Sequence, residues 1–458
     1  MKKFTVRPAL TGNRKIRIGG GEEGADWVAL GRLGEAGALT SIVQDVSMEH
    51  VVAIVGKRGS GKSYTLGSLL EGLCTDPNGT AIGSISGKRA VLLFDTLGIF
   101  QWTDIAVTQD AKAEAVQRQF LAKGNWDIPA IRTHVAIWRP ASGGDVRVRT
   151  GQRELTVKPA DLDASAWGYL LGLDVMQDRM GQLLGDAYEK VSIEGWSTGK
   201  GNQRPKTDFE IADLVACIVS DQELGASYQS ETRRALAQQL TTFDRSTLFR
   251  ANGTDLRELL VPGVMSVIVM NKMTDELRLV LITAIIRKVL RSRIEASELE
   301  KDLLIRNDLS SQERTDMQAA LALSAPRCWI AADEAQNFLP SERRTNATDT
   351  LVRLVREGRN SGLSFVLTTQ QPSAIDNRIM AQVDTLISHK LTVQTDIDYI
   401  RRNLKSALPE EVRYNNQELG FDGLLHSLDV GQAVVSSTES ERAMIVDIRP
   451  RISVHGGF

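Results

Sequence analysis

The residues Gly56-Lys57-Arg58-Gly59-Ser60-Gly61-Lys62-Ser63 follow the pattern G-x-x-x-x-G-K-S, and each residue type in it suits the holding of phosphate. Glycines let successive backbone N–H groups turn inward on anionic oxygens, the Lys62 ammonium adds charge at the β- and γ-phosphates, and the Ser63 hydroxyl is a ligand for Mg²⁺. With Tyr64, which follows directly, these residues form the expected binding segment for ATP or GTP. Far downstream, Asp333-Glu334 sets two carboxylates side by side. Hydrolysis at a phosphate loop needs such a pair, one to hold the metal's water shell and one to orient and deprotonate the attacking water. A capping Asp at a strand-to-helix turn is the alternative; the loop upstream decides for Asp333 as metal ligand with Ser63, and for Glu334 as base. Gln370 has the reach to sense a γ-phosphate. Arg359 suits stabilisation of transition-state charge on a neighbouring subunit's nucleotide, provided that rings form.

For these groups to meet, particular strands must end where they start. Val51 to Val55 is an unbroken apolar run entering the loop, and Leu66, Leu69, Leu70 and Leu73 recur at helical spacing after it. A helix starting there points its positive dipole end at the phosphates. Cys328 to Ala332 ends at Asp333-Glu334, Leu363 to Leu367 ends at Thr368-Thr369-Gln370, and Val91 to Phe94 ends at Asp95. Val135 to Trp138 and Met265 to Met270 add two more candidates. Apolar runs without alternation predict parallel strands covered on both faces. Arg353, Arg356 and Arg359 stand at helical spacing, and Arg353 reads as part of a salt-bridged helix face.

The organisation expected is an α/β core carrying an insertion. Residues 1–45 hold short strand-like pieces (Phe4 to Arg7, Lys15 to Ile18, Trp27 to Leu30) between glycine turns, a small β appendage. Residues 46–160 form the first part of the core, and 161–320 are mostly helical, broken by Ser197 to Thr207 and by a core strand near 265–270. Residues 321–458 complete the core with a C-terminal tail. At 458 residues with 24% charged, the chain can bury a sizeable core. The apolar runs Val264 to Met270 and Leu279 to Ile286 fall far short of the roughly 18 residues of a membrane span, so no membrane association and a cytoplasmic location are expected. Cys74, Cys217 and Cys328 fit neither a disulfide framework nor a zinc pattern. A formal charge of −2 excludes a uniformly basic nucleic-acid binder but not a basic channel inside an assembly.

These residues together resemble the HerA-type branch of the HerA/FtsK hexameric ATPases. The resemblance covers most of residues 45–458. It rests on the phosphate loop with its lead-in from His50, on Leu93-Phe94-Asp95-Thr96-Leu97-Gly98, and on Leu256 to Met270. It continues through Asp333-Glu334-Ala335-Gln336-Asn337-Phe338, Glu357 to Leu363, Thr368 to Ser373 and the ending Arg451 to Gly457. It implies a RecA-like P-loop ATPase core, Mg²⁺ as cofactor, and a homo-hexamer that pumps double-stranded DNA with a partner nuclease in end processing or an effector in anti-phage defence. By that resemblance Lys62, Asp333, Glu334 and Gln370 take the roles above, Arg359 acts in trans, and Asp95 is an extra acidic group near the metal. The chain departs from the family pattern in its short N-terminal region, which stands where relatives carry a partner-docking β-barrel. Ile99 replaces an acidic residue and Gln371 a frequent Arg, so that hydrolysis is tuned differently.

A motor gripping duplex DNA needs basic side chains facing its path. Arg147, Arg149, Arg153 and Lys158 around an expected hairpin, and Lys200, Arg204 and Lys206 in the glycine-rich segment, are the candidates. A solvated surface is the alternative for each, and an edge strand guarded by charge for Val146 to Arg149. The reading favoured is Mg²⁺-dependent ATP hydrolysis by a ring moving on DNA. An ATP-gated scaffold that assembles an effector without pumping DNA is the alternative, and a GTPase a third.

Overall fold

The computed structural model describes residues 15–457 apart from 23, 35–39, 76–81, 108–118, 120–125, 127, 129–132, 142–148, 200, 245–246, 343–344, 405–410, 415–416 and 439–441. It divides into two compact units, one drawn from Met1–Ile137, Leu260–Val269 and Leu290–Phe458, the other from Trp138–Leu259 and Met270–Val289.

The first unit is built on one large sheet. Its main strands are β1 (Lys15–Ile18), β2 (Trp27–Leu33), β3 (Ser41–Asp45), β4 (Val51–Val55), β5 (Ala90–Asp95), β6 (Met265–Val269), β7 (Cys328–Ala332), β8 (Leu363–Thr369), β9 (Thr385–Ser388), β10 (Gln432–Ser437) and β11 (Arg442–Ile448), in the spatial order β1-β3-β2-β11-β10-β9-β4-β8-β7-β5-β6, with the two-residue strand Gly83–Ser84 pairing β2. From β9 to β6 every neighbour is parallel. The physical reason is visible in β4, β5, β6, β7 and β8, whose residues are all buried: an uninterrupted apolar run is stable only where both sheet faces are covered. Helix α1 (Lys62–Cys74) covers part of one face, burying Leu66, Leu69, Leu70 and Leu73, each worth about 1.5–3 kcal/mol. The α/β class expected from these runs is the one found.

The small β appendage expected at the N-terminus joins the core sheet. β2 pairs with β11 through Leu33 and Val446, Arg32 and Asp447, and Gly31 and Ile448, so β2 and β3 extend the core sheet on its antiparallel side. Alternating short strands gave no sign of this, because the partner of β2 lies at the other end of the sequence. Phe4 to Arg7 lies outside the described residues.

The second unit is mainly helical, with Ala164–Leu171, Arg179–Glu189, Ile211–Ser220, Gln222–Ser227 and Ser230–Asp244. It begins at Trp138, earlier than the expected insertion boundary at 161. Trp167 stacks against Phe249 with ring centroids 5.2 Å apart, and Leu183, Leu214, Leu236 and Leu240 fill the core around the helices. Local caps set the helix starts: Asp163 accepts from Ala166 N–H, and Glu210 with Asp213 forms a capping box. The glycine-rich break at Ser197 to Thr207 includes a two-stranded hairpin, Trp196–Thr198 with Gly201–Gln203.

Candidate nucleotide site

Register gathers the site. β7 aligns Ala332 with Leu367 of β8 and with Phe94 of β5, so the next residues, Asp333, Thr368 and Asp95, arrive at one level on adjacent strands. β8 in turn aligns Thr369 with Val55, which sets Gln370 level with the first glycine of the phosphate loop. Asp333 Oδ1 accepts from Thr368 Oγ1 at 2.6 Å and faces Ser63 Oγ at 3.4 Å. Glu334 N–H donates to the same Thr368 hydroxyl at 3.1 Å. The Glu334 carboxylate lies between two amides: Gln370 Nε2 donates to Oε1 and Gln336 Nε2 to Oε2, each at 2.6 Å. Glu334 is also the one non-glycine residue with positive φ, 54°, among the described residues. Such a conformation costs on the order of 1–3 kcal/mol and clusters at functional sites.

The loop is shaped by its glycines and by a support that lies beneath it. Gly61 precedes α1 at φ 111°, a region costly for any residue with a Cβ. At Gly56 a Cβ would meet Ser60 Oγ at 2.6 Å and the Cβ of His389 at 2.7 Å. His389 stands just after β9, fully buried. Its Nδ1 lies 2.7 Å from the Gln432 carbonyl, which only accepts, so Nδ1 carries the proton and Nε2 accepts from Thr65 Oγ1 at 2.8 Å. Burial holds this imidazole down to about 4, with Lys62 adding to the fall, so it is neutral under ordinary conditions. Lys62 Nζ donates to Lys57 C=O at 3.1 Å, and Ser60 Oγ to the same carbonyl at 2.8 Å.

The loop floors a cleft of about 1040 Å³ that also meets Arg58, Tyr64, Glu334, Gln370, Gly431 and His455. Pro450, Gly456 and Gly457 of the C-terminal tail line it too, and a buried carboxylate on α1 holds that tail. Glu71 receives Arg451 Nε at 3.0 Å and Ile452 N–H at 3.0 Å, with Arg449 at 3.6 Å. Arg451 N–H donates to the Tyr64 hydroxyl at 3.0 Å, and Tyr64 meets His455 edge-on at 5.5 Å.

Charge is balanced tightly in the site. Burial pushes Asp333 up to about 7; the Thr368 hydroxyl and Lys62 oppose this, and the charges of Asp95 and Glu334 add to it. Burial also lowers the Lys62 ammonium, against the pull of Glu334 and Asp333. A cation beside Asp333 would relieve the crowding. Asp333 Oδ2 is buried with no hydrogen-bond partner, and Ser63 Oγ faces the other oxygen, so the donor set fits Mg²⁺.

Other expected site residues fall elsewhere. Asp95 is level with Asp333 but uses both oxygens as a turn cap: Oδ1 accepts from Gly98 and Ile99 N–H at 2.8 and 3.1 Å, and Oδ2 from Phe100 N–H at 2.9 Å. Burial raises its pKa to about 6 against those bonds. Its carboxylate caps that turn, and its charge adds to the crowding at Asp333. Arg359 opens a short turn before β8, at the foot of the sheet and on the order of 15 Å along the strands from its own loop. Arg353, in helix α2 (Asn346–Glu357), pairs with Glu357 one turn on at 2.8 Å. Of the DNA-contact candidates, Arg147 and Lys200 lie outside the described residues. Arg153 sits over the Trp138 ring at 5.3 Å, Lys158 pairs with Asp208 at 3.3 Å and Lys206 with Asp213 at 2.6 Å. Arg149 N–H bonds Gln152 and Arg204 is exposed. Thr368 as partner of Asp333, Gln336 on Glu334 and His389 under the loop are site residues that no sequence pattern marks, save that Gln336 stands two residues from Glu334.

Comparison with known proteins bears on the same stretch. The family model described as "Helicase HerA, central domain" matches residues 28–289, more than half of the chain. The DNA double-strand break repair helicase HerA of Pyrococcus furiosus is 22% identical over 237 residues, 50% of this chain and 40% of that protein. The probable DNA double-strand break repair helicase HerA of Methanocaldococcus jannaschii is 29% identical over 130 residues, 28% of this chain and 24% of that one. The match thus takes in less than half the length of these relatives. Among solved structures, VirB4 of Thermoanaerobacter pseudethanolicus superposes with a TM-score of 0.48 at 13% identity, covering 94% of this chain and 98% of that one. The bacterial conjugative coupling protein TrwB gives 0.46 at 11%, covering 89% and 87%. The matched stretch contains the whole phosphate loop, while Asp333 and Glu334 lie beyond it and stand on geometry; the chain belongs to the HerA helicase central-domain family.

Proposed function

We propose that the chain is a Mg²⁺-dependent ATPase subunit that works in a homo-hexameric ring on double-stranded DNA, with a partner nuclease or defence effector. The observation that carries the ATPase part of this reading is the convergence on one cleft of Lys62, Ser63, Glu334 and Gln370, with Asp333 buried behind Ser63. Backbone N–H groups of the loop and Lys62 bind the phosphates. Mg²⁺ held by Ser63 and Asp333 would neutralise charge between the β- and γ-phosphates. Glu334, gripped by Gln370 and Gln336, orients a water and takes its proton. Gln370 spans from that base toward the loop and so reports whether a γ-phosphate is present. Arg359, too far from its own loop, serves the adjacent subunit's nucleotide. Names of the HerA relatives, which speak of double-strand break repair, support DNA as the track.

One observation favours the scaffold reading instead: Lys158 and Lys206 are each paired with a carboxylate of the same chain, which reduces the net positive potential along a DNA path, and that potential rather than one fixed contact is what holds a DNA backbone. Steady-state ATP hydrolysis with and without linear duplex DNA, using Lys62→Ala as blank, separates the two. Stimulation by DNA is expected for the motor; slow turnover indifferent to DNA supports the scaffold.

A further inference from the structure

At the foot of the first unit's sheet runs a chain of charges that the nucleotide cleft does not use. Asp384, the residue before β9, is its hub. Its Oδ2 accepts from Arg359 Nη2 at 2.5 Å and from Val51 N–H at 3.0 Å, and lies 3.5 Å from His50 Nδ1. The Asp384 backbone is fixed on both sides: its N–H donates to Val51 C=O at 3.0 Å, and its C=O accepts from Thr438 N–H and hydroxyl, each at 2.9 Å. His50 continues the chain, with Nε2 at 3.2 Å from Asp45 Oδ2, and Arg17 bonds the other Asp45 oxygen at 3.1 Å. Arg359 itself is 41% exposed at the side chain, whereas Asp384 is 13% exposed. Its Nη2 also donates to Gln382 C=O at 3.0 Å.

We propose that Asp384 is the positioning residue for Arg359: it fastens the guanidinium offered to a neighbouring subunit onto the foot of β4, the strand whose other end is this subunit's own phosphate loop. The inference rests on the reading of Arg359 as the trans-acting arginine. A long exposed arginine loses rotamer freedom when it docks on a nucleotide, and a carboxylate that already holds it removes part of that cost. An ordinary surface ion pair has no need of a partner fixed by backbone bonds on both sides. A further detail points the same way. Asp384 Oδ1 is buried without a hydrogen-bond partner, an unfavourable state for a carboxylate oxygen. A second guanidinium N–H reaching it would turn the present single bond into a bidentate pair, a tighter geometry available when another subunit covers this face. Because Oδ2 serves both Arg359 and Val51 N–H, a shift of β4 at its foot moves the arginine with it.

The test compares kcat, KM and fluorescent-ATP affinity for the full chain and for Asp384→Asn, Arg359→Ala and the double variant, with Lys62→Ala as blank. The amide keeps an acceptor for Val51 N–H. Asp384→Asn is expected to lower kcat about tenfold, because a charge-assisted bond to the guanidinium becomes one to a neutral acceptor, with KM and affinity unmoved, and the double variant to be no slower than Arg359→Ala. Wild-type kcat in Asp384→Asn, or losses that multiply in the double variant, overturns the proposal. If Asp384→Asn does not fold, Asp384→Glu carries the test, since it keeps the charge but displaces it and should also slow kcat without multiplying. Wild-type turnover in Arg359→Ala removes the trans arginine and this proposal with it, leaving the nucleotide site intact. Wild-type turnover in Lys62→Ala instead removes the ATPase reading.

Discussion

Glu334 is held on both oxygens by neutral amides, from Gln370 and Gln336, and its backbone is forced to a positive φ. A side chain so fixed tolerates an isosteric change in shape but not the loss of its basicity. Glu334→Gln is therefore expected to bind nucleotide as the native chain does while kcat falls by roughly 10²–10⁴, read by a fluorescent-nucleotide titration beside a phosphate-release assay. Full turnover in that variant would remove Glu334 as the base. Lys62 and Glu334 could be singled out because each stands in a short local pattern, a glycine-rich loop after an apolar run and an acidic pair at the end of one. His389 was not: a lone histidine after a short apolar run means nothing until β9 is seen to lie beside β4 and the ring beneath Gly56.

Two predictions belong to the elements. α1 and the C-terminal tail share one buried carboxylate, Glu71, against Arg449 and Arg451, all three within 1% of complete burial. Removing one member of a buried ionic cluster strands the others, so Glu71→Ala should cost about 3–5 kcal/mol, seen as a lower midpoint in urea. If the midpoint stays, the tail is held by something other than this cluster. The second concerns His50, which ties β3, β4 and β9. Burial alone would lower its pKa, but hydrogen bonds and charges from Asp384 and Asp45 win and raise it to about 9, above the ordinary 6.5. A raised folded pKa means that the protonated form favours the native state, so this contribution is complete below pH 6.5 and lost as pH climbs through 9. The stability difference between the native chain and His50→Gln should shrink over that window in denaturant titrations at successive pH values; a difference independent of pH contradicts the pairing.

At the scale of the whole molecule the question is whether subunits complete one another. On the function proposed above, Arg359→Ala chains would lack the trans arginine and Glu334→Gln chains the base, and a mixture of the two should recover turnover at hybrid interfaces. Absence of recovery at every mixing ratio counts against action in trans. Most of the core strands, the α/β class and the acidic pair could be read from sequence, because apolar runs ending in polar residues are local patterns. The placement of β2 beside β11, the helical unit starting at Trp138, and the tail clamp could not. Each depends on partners hundreds of residues apart, and a lone Glu, Arg or short strand is compatible with many surroundings. Asp95 shows the converse: its place beside Asp333 could be read from the end of its strand, but not the three backbone N–H groups of the following turn that it caps.

The pairing of β4 has a consequence for synthesis on the ribosome. The strand leading into the phosphate loop is the first of the parallel set to be made, yet both its partners, β8 and β9, come roughly 300 residues later. At ordinary elongation rates of about 5–20 residues per second, Val51 to Val55 waits roughly 15–60 s with both edges open. A five-residue run of valine, isoleucine and alanine with two bare edges is a template for wrong pairing with other nascent chains. Holdase chaperones that bind extended apolar segments are thus expected to engage this region during translation, and slowing elongation in the intervening stretch should lower the soluble yield.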